Sequence, residues 1–152
     1  MIKEVKKLKK MEILKRSKEL VNLYFKDKVD LGNHSYVNHL YHVSEDFEDA
    51  ETKSLALLHD LLEDTEVTKE DLLEAGYSKE FVQTLLLLTN NTRSYDSYIN
   101  RLIKSNNKIA MQIKIKDLLA INKRATGIIL LPTIEHPFNT ITNTERKFGL
   151  CY

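Results

Sequence analysis

The chain has 152 residues, 42% apolar and 30% charged, and its 23 Lys and Arg against 22 Asp and Glu leave a formal net charge of +1. These values fit a globular chain able to bury a core as one domain over 1–152, and they give no net electrostatic pull toward nucleic acid or a membrane. A lone cysteine, Cys151, excludes an intramolecular disulfide and suits a reducing compartment, so the cytoplasm is the expected location; no signal peptide or run of membrane length is read.

Only four glycines and two prolines interrupt the chain, and β-branched alternation is scarce, so the pattern predicts an all-α bundle of about seven helices. The first helix is expected over 3–25, with Val5, Leu8, Leu14, Val21 and Tyr24 on its inner side. Its first 18 residues carry eight basic side chains. Without interleaved aromatics these read as a solvated helix face rather than a nucleic-acid arm. A loop over 26–35 holds Gly32 and Asn33. Ser35 is placed to cap a second helix running to about 47, and Asp49 to cap a third over 50–62 that is apolar nearly all round and therefore central. Thr68 and Asp71 suggest a capping box for a short fourth helix that stops at Gly76. Further helices are expected over 79–89, 95–104 and 107–123, followed by an irregular tail over 127–152 containing Gly127, Pro132 and Pro137.

Two places carry chemistry. The apolar run at 57–62 contains His59 and Asp60 and is followed by Glu63 and Asp64. Ionised groups in a core segment are costly unless paired, and a divalent cation would satisfy His59 and Asp60 together. On a continuous helix the two point about 100° apart, so a shared ion must sit over the groove between them. On the last predicted helix Asp117 falls in the stripe of Ala110, Ile113, Ala120 and Ile121. There it either faces a cation, stays protonated, or slips to the solvent edge; Lys114 and Lys116 are expected to lean to other faces. With His39 from the second helix, an N2O2 set of His39, His59, Asp60 and Asp117 would suit Mn, Fe, Co or Zn. His42 and Asp46 share a helix face near His39 and are candidates for supporting the set, against a solvated role.

Residues 32–44 (GNHSYVNHLYHVS), 56–65 (ALLHDLLEDT) and 113–118 (IKIKDL) together resemble the HD superfamily of metal-dependent phosphohydrolases. The likeness is strongest to the hydrolase domain of the RelA/SpoT proteins and their stand-alone alarmone-hydrolase relatives, and it covers about residues 20–122. The resemblance implies a single HD domain. It implies His39, His59, Asp60 and Asp117 as metal ligands, usually for Mn²⁺. It also implies Glu63 and Asp64 as the pair that positions and deprotonates the attacking water. The implied reaction is hydrolysis of a nucleotide phosphoester, with (p)ppGpp the leading substrate; another nucleotide, or nucleotide sensing without turnover, is the alternative. A polyanionic substrate needs cationic partners, for which Lys28, Arg93, Lys114, Asn122 and Arg124 are candidates for phosphate or ribose. Tyr95 and Tyr98 are read as core residues or as a base-stacking pair. A homo-oligomer is compatible with the sequence.

The chain departs from the family pattern around the nucleotide. Lys28-Val29-Asp30-Leu31 stands where alarmone hydrolases carry an Arg-Lys pair, Phe25 where relatives often have histidine, and Leu40 where they have proline. Ala120 and Ile121 replace a His-Asn pair, with Asn122 one residue late.

Overall fold

A computed structural model describes residues 2–30 and 32–126, with the side chains at 2, 7, 8 and 122–126 left aside. Every element in that span is helical: α1 (Ile2–Phe25), α2 (Tyr36–Glu45), α3 (Ala50–Leu57), α4 (Leu61–Asp64), α5 (Lys69–Glu74), α6 (Lys79–Leu87), α7 (Tyr95–Lys104) and α8 (Lys108–Thr126). The tail expected to be irregular lies outside the described residues. Among the described residues no helix is long and apolar enough to cross a membrane.

The buried face of α1 is not the one its sequence suggests. Ser17, Val21 and Phe25 are fully buried, one helical turn apart, whereas Val5 is 62% exposed and Tyr24 39%. The side chain of Leu8 is outside the described set. The inner stripe therefore begins only near Ile13 and Leu14, and the lysine-rich first half of α1 stays exposed where its side chains are described. Ser17 is accommodated because its hydroxyl donates to Ile13 O and lies 2.9 Å from Tyr77 Oη.

Between α1 and α2 the chain makes a tight knot. Asp30 Oδ1 accepts from the amides of Gly32 and His34, Asn33 takes the left-handed backbone (φ 62°), and Val29 and Ser35 form an antiparallel bridge. Ser35 precedes α2 as expected, but its side chain makes no capping bond. The other caps form as the sequence predicts. Asp49 accepts from Thr52 N, Thr68 and Asp71 close a reciprocal box, and Gly76 turns the chain with φ 102°.

α3 packs against both α1 and α2, and Leu55, Ala56, Leu57 and Leu58 are at most 4% exposed, as the all-round apolar pattern requires. The expected 50–62 helix is broken, however. Leu58 (φ −96°, ψ 6°) and Asp60 (φ −101°, ψ 0°) sit in the bridge region of backbone space. The amide of Leu61 bonds to Leu58 O, three residues back. This tightened turn separates α3 from the single-turn α4 and rotates His59 and Asp60 toward each other. A smaller apolar cluster of Tyr98, Ile99 and Leu118 joins α7 to α8, and the functional cleft opens beside it.

Candidate metal centre and active site

Four side chains from three parts of the bundle meet at one point. His39 comes from the middle of α2, His59 and Asp60 from the break after α3, and Asp117 from α8. One ligand atom of each lies within 4.8 Å of all the others. His39 Nε2 is 2.8 Å from Asp117 Oδ1, while His59 Nε2 is 3.1 Å from Asp60 Oδ2 and 3.3 Å from Asp117 Oδ1. All four are deeply set, with side-chain exposures of 0%, 3%, 14% and 5% in chain order.

The donor set fits a divalent cation. His59 Nδ1 lies 2.6 Å from Ala56 O, and because a carbonyl only accepts, Nδ1 carries the proton. That leaves Nε2 turned toward the two carboxylates, buried and without a well-formed hydrogen bond. A backbone carbonyl orienting an imidazole in this way is the usual support for a metal-binding histidine. The electrostatics ask for the same thing. Burial pulls His59 down, but Asp60 and Asp117 outweigh it and hold its pKa well above the ordinary value. Burial pushes Asp117 up, yet Lys114 and His59 keep it well below the carboxylate range; burial also pushes Asp60 up, and His59 outweighs it and lowers its pKa. The two carboxylates thus stay ionised and require positive charge between them, which a proton on His59 or a metal cation supplies.

Asp117 is buried, not at a solvent edge, and Lys114 is its partner, with Nζ 3.2 Å from Oδ2. The expectation that Lys114 leans away fails because i and i+3 lie on one helix face. Lys116 does lean away, to Asp46. Tyr36 is a site residue whose role the sequence did not suggest. Its hydroxyl donates to Asp60 Oδ2, its ring stacks on Phe25 at 5.6 Å, and it leans on His39 at 5.2 Å. Burial and Asp60 raise the Tyr36 pKa, so it remains a donor.

Asp60 and Asp117 of the cluster line a cleft of about 250 Å³. Tyr36, Glu63, Asp64, Asn90, Tyr95, Tyr98 and Lys114 are among the other residues that line it. Glu63 and Asp64 are exposed at its mouth, and with Asp60 their oxygens form a second acidic group within 4.8 Å. Partial burial, then Asp60 and Glu63, raise the Asp64 pKa to about 6. Burial also raises Glu63, against the hydrogen bond that the Asn90 amide donates to its Oε1 at 2.7 Å. Asp64 can therefore exchange a proton near pH 6, and Glu63 holds its proton more firmly than an ordinary glutamate.

The remaining candidates divide. Lys114 lines the cleft, its ammonium 5.6 and 5.4 Å from the centres of the Tyr95 and Tyr98 rings. Lys28 reaches the rim, donating to Asp64 O above the Phe25 ring. Arg93 is exposed and not among the lining residues. The side chains of Asn122 and Arg124 lie outside the described ones. Tyr98 is packed in the core as its helical spacing suggests, 2% exposed with its hydroxyl donating to Leu88 O, and it also lines the cleft beside Tyr95. His42 and Asp46 point away from the cluster, pairing with Glu45 and Lys116 on the surface. Two other clefts, of about 230 and 530 Å³, flank the lysines of α1 and contain no histidine.

A solved structure of a metazoan ortholog of SpoT, which hydrolyzes ppGpp and plays a role in starvation responses, superposes on this bundle. The match covers 91% of this chain and 97% of that one, with a TM-score of 0.60 and 20% sequence identity. The two chains share one all-α fold. No family model and no curated protein matches the chain. The break between α3 and α4 lets the adjacent His59 and Asp60 side chains converge on one point.

Proposed function

We propose that this chain is a metal-dependent phosphohydrolase that removes the 3′-pyrophosphate of (p)ppGpp, leaving GDP or GTP. The observation that carries the reading is the convergence of His39, His59, Asp60 and Asp117 beside two acids of raised pKa at a cleft mouth. The four residues would hold one divalent ion, Mn²⁺ first, with Fe, Co and Zn suited to the same donors. The chemistry supplied there by a divalent ion is Lewis-acid activation of water and neutralisation of phosphoryl charge.

The chain's own groups do the rest. Tyr36 holds Asp60 through its hydroxyl, and Ala56 O holds the His59 ring. Glu63 and Asp64 orient the attacking water, take its proton, and return one to the leaving oxygen. Lys114 and Lys28 present positive charge to the phosphates, with Arg93, Asn122 and Arg124 as further candidates. The reaction belongs in the cytoplasm, as the reducing-compartment cysteine usage suggests.

The test is ppGpp hydrolysis with added Mn²⁺, following GDP and pyrophosphate, with Asp60→Ala and Glu63→Ala alongside. Turnover in the parent and its loss in both variants is the expected result. No turnover by a metal-loaded parent would refute this substrate. One observation favours a different nucleotide: Lys28-Val29-Asp30-Leu31 stands where alarmone hydrolases carry an Arg-Lys pair, so Lys28 is the one cation of that loop segment at the cleft rim. A panel of other nucleotides tests that reading, and binding to all without cleavage would favour a sensor.

A further inference from the structure

We propose that Arg101 is a positioning residue for Glu63, acting through the single peptide unit between Thr89 and Asn90. Arg101 lies in the last turn of α7, where its sequence context suggests only a favourable charge at that helix's own C-terminus. Instead the guanidinium crosses to the end of α6. Its Nη2 donates to Thr89 O at 2.7 Å, with longer bonds to Leu86 O (3.2 Å) and Leu87 O (3.4 Å), and Nη1 donates to Asn91 Oδ1 at 2.6 Å.

A C-terminal cap of α6 would need only the Leu86 and Leu87 carbonyls. The short Nη2 bond lies beyond the helix, on the peptide unit whose other end is the Asn90 amide. That amide donates to Glu63 Oε1, also at 2.7 Å. No cis peptide bond occurs among the described residues, and a trans unit is planar with its C=O and N–H pointing in opposite directions. One rigid plane is thus gripped by a cation on one edge and a carboxylate on the other. Each bond polarises the peptide in the sense that strengthens the other. If that plane turned, Glu63 would lose its fixed donor and could swing across the cleft mouth.

The fork of Arg101 is what the arrangement uses. Several carbonyls and an amide oxygen are reached by a planar group, which a lysine ammonium cannot reproduce. The loop has independent supports. Tyr98 Oη donates to Leu88 O at 2.9 Å, and Asn90 Oδ1 accepts from the amide and hydroxyl of Thr92. Arg101→Lys is therefore expected to fold.

The effect on turnover rests on the phosphohydrolase reading; the effect on the amide does not. In ¹H–¹⁵N spectra, Arg101→Lys should move the Asn90 amide proton upfield, the same direction as Glu63→Gln, leaving amides of α3 in place. With Mn²⁺ and ppGpp, Arg101→Lys should lower kcat about tenfold, within the range that misplacing a reacting group costs. KM and Mn²⁺ affinity should stay within about twofold, and the kcat loss should vanish in a Glu63→Gln background. Asn90→Pro, which deletes the N–H but leaves Arg101, should reproduce the fall, with Asn90→Ala as its control. An unmoved Asn90 resonance, or an equal kcat loss with and without Glu63, would overturn the proposal. If the parent cleaves nothing, the phosphohydrolase reading fails and the amide resonance alone decides.

Discussion

Replacing Asp117 by Leu removes the carboxylate that Lys114 faces, and the consequence can be sized from their setting. Lys114 is 8% exposed and Asp117 3%, with 3.2 Å between Nζ and Oδ2. Breaking a buried pair from one side leaves a desolvated charge and costs about 3–5 kcal/mol. For a domain of this length each kcal/mol shifts Tm by about 2–4 °C, so Asp117→Leu should lower Tm by about 6–20 °C. Adding Lys114→Met should return part of that, because a buried pair replaced by apolar groups of similar volume is roughly neutral. The shortfall should be about 2 kcal/mol, since buried His39 still lacks its 2.8 Å partner at Asp117 Oδ1 and Lys114 also lies over the Tyr95 and Tyr98 rings. Urea and thermal unfolding with EDTA present measure this without a contribution from bound metal. A single variant within about 2 °C of the parent, or a double variant no better than the single, would refute the buried-pair argument.

Tyr36→Phe deletes the hydroxyl on Asp60 and keeps the ring on Phe25, so Mn²⁺ affinity should fall about 10- to 100-fold by calorimetry while Tm changes little. Asp64→Asn should be most stabilising above pH 6. The folded pKa of Asp64 is raised to about 6, so protonation favours the fold below the ordinary carboxylate value and that advantage is lost as pH rises through 6. For so exposed a group the gain after solvent screening is below about 1 kcal/mol, read as a Tm difference between pH 4 and pH 8 in EDTA. Phe25→Ala, at a fully buried ring, should cost about 3–5 kcal/mol and loosen Tyr36, lowering metal affinity as well as Tm.

The helical periods, the Asp49 cap, the Thr68–Asp71 box and the Gly76 stop were legible because each is a local device. His59, Asp60 and Asp117 were legible because ionisable groups in apolar runs ask for a partner, whereas His39 entered only as the further ligand that the resemblance implies. The break at residues 58–60 was not. Leu58-His59-Asp60-Leu61 holds neither Gly nor Pro, and it is the convergence of two adjacent side chains, a tertiary demand, that takes the backbone off the helix. The inner face of α1 was misread because Val5 and Tyr24 stand exposed while Ser17, which reads as a surface residue, is buried with its hydroxyl satisfied by Ile13 O. Asn90 and Arg101 left no signal, since their parts are played by a backbone amide and by a side chain that reads as surface charge.

All of this chemistry depends on one ion at one place, so titration of the metal-free protein with Mn²⁺ by calorimetry is the most direct measurement. One ion per chain in the parent, with binding abolished in both His39→Ala and Asp60→Ala, is the predicted result. No binding by the folded parent, or binding that survives both substitutions, would contradict the metal centre and the phosphohydrolase reading built on it.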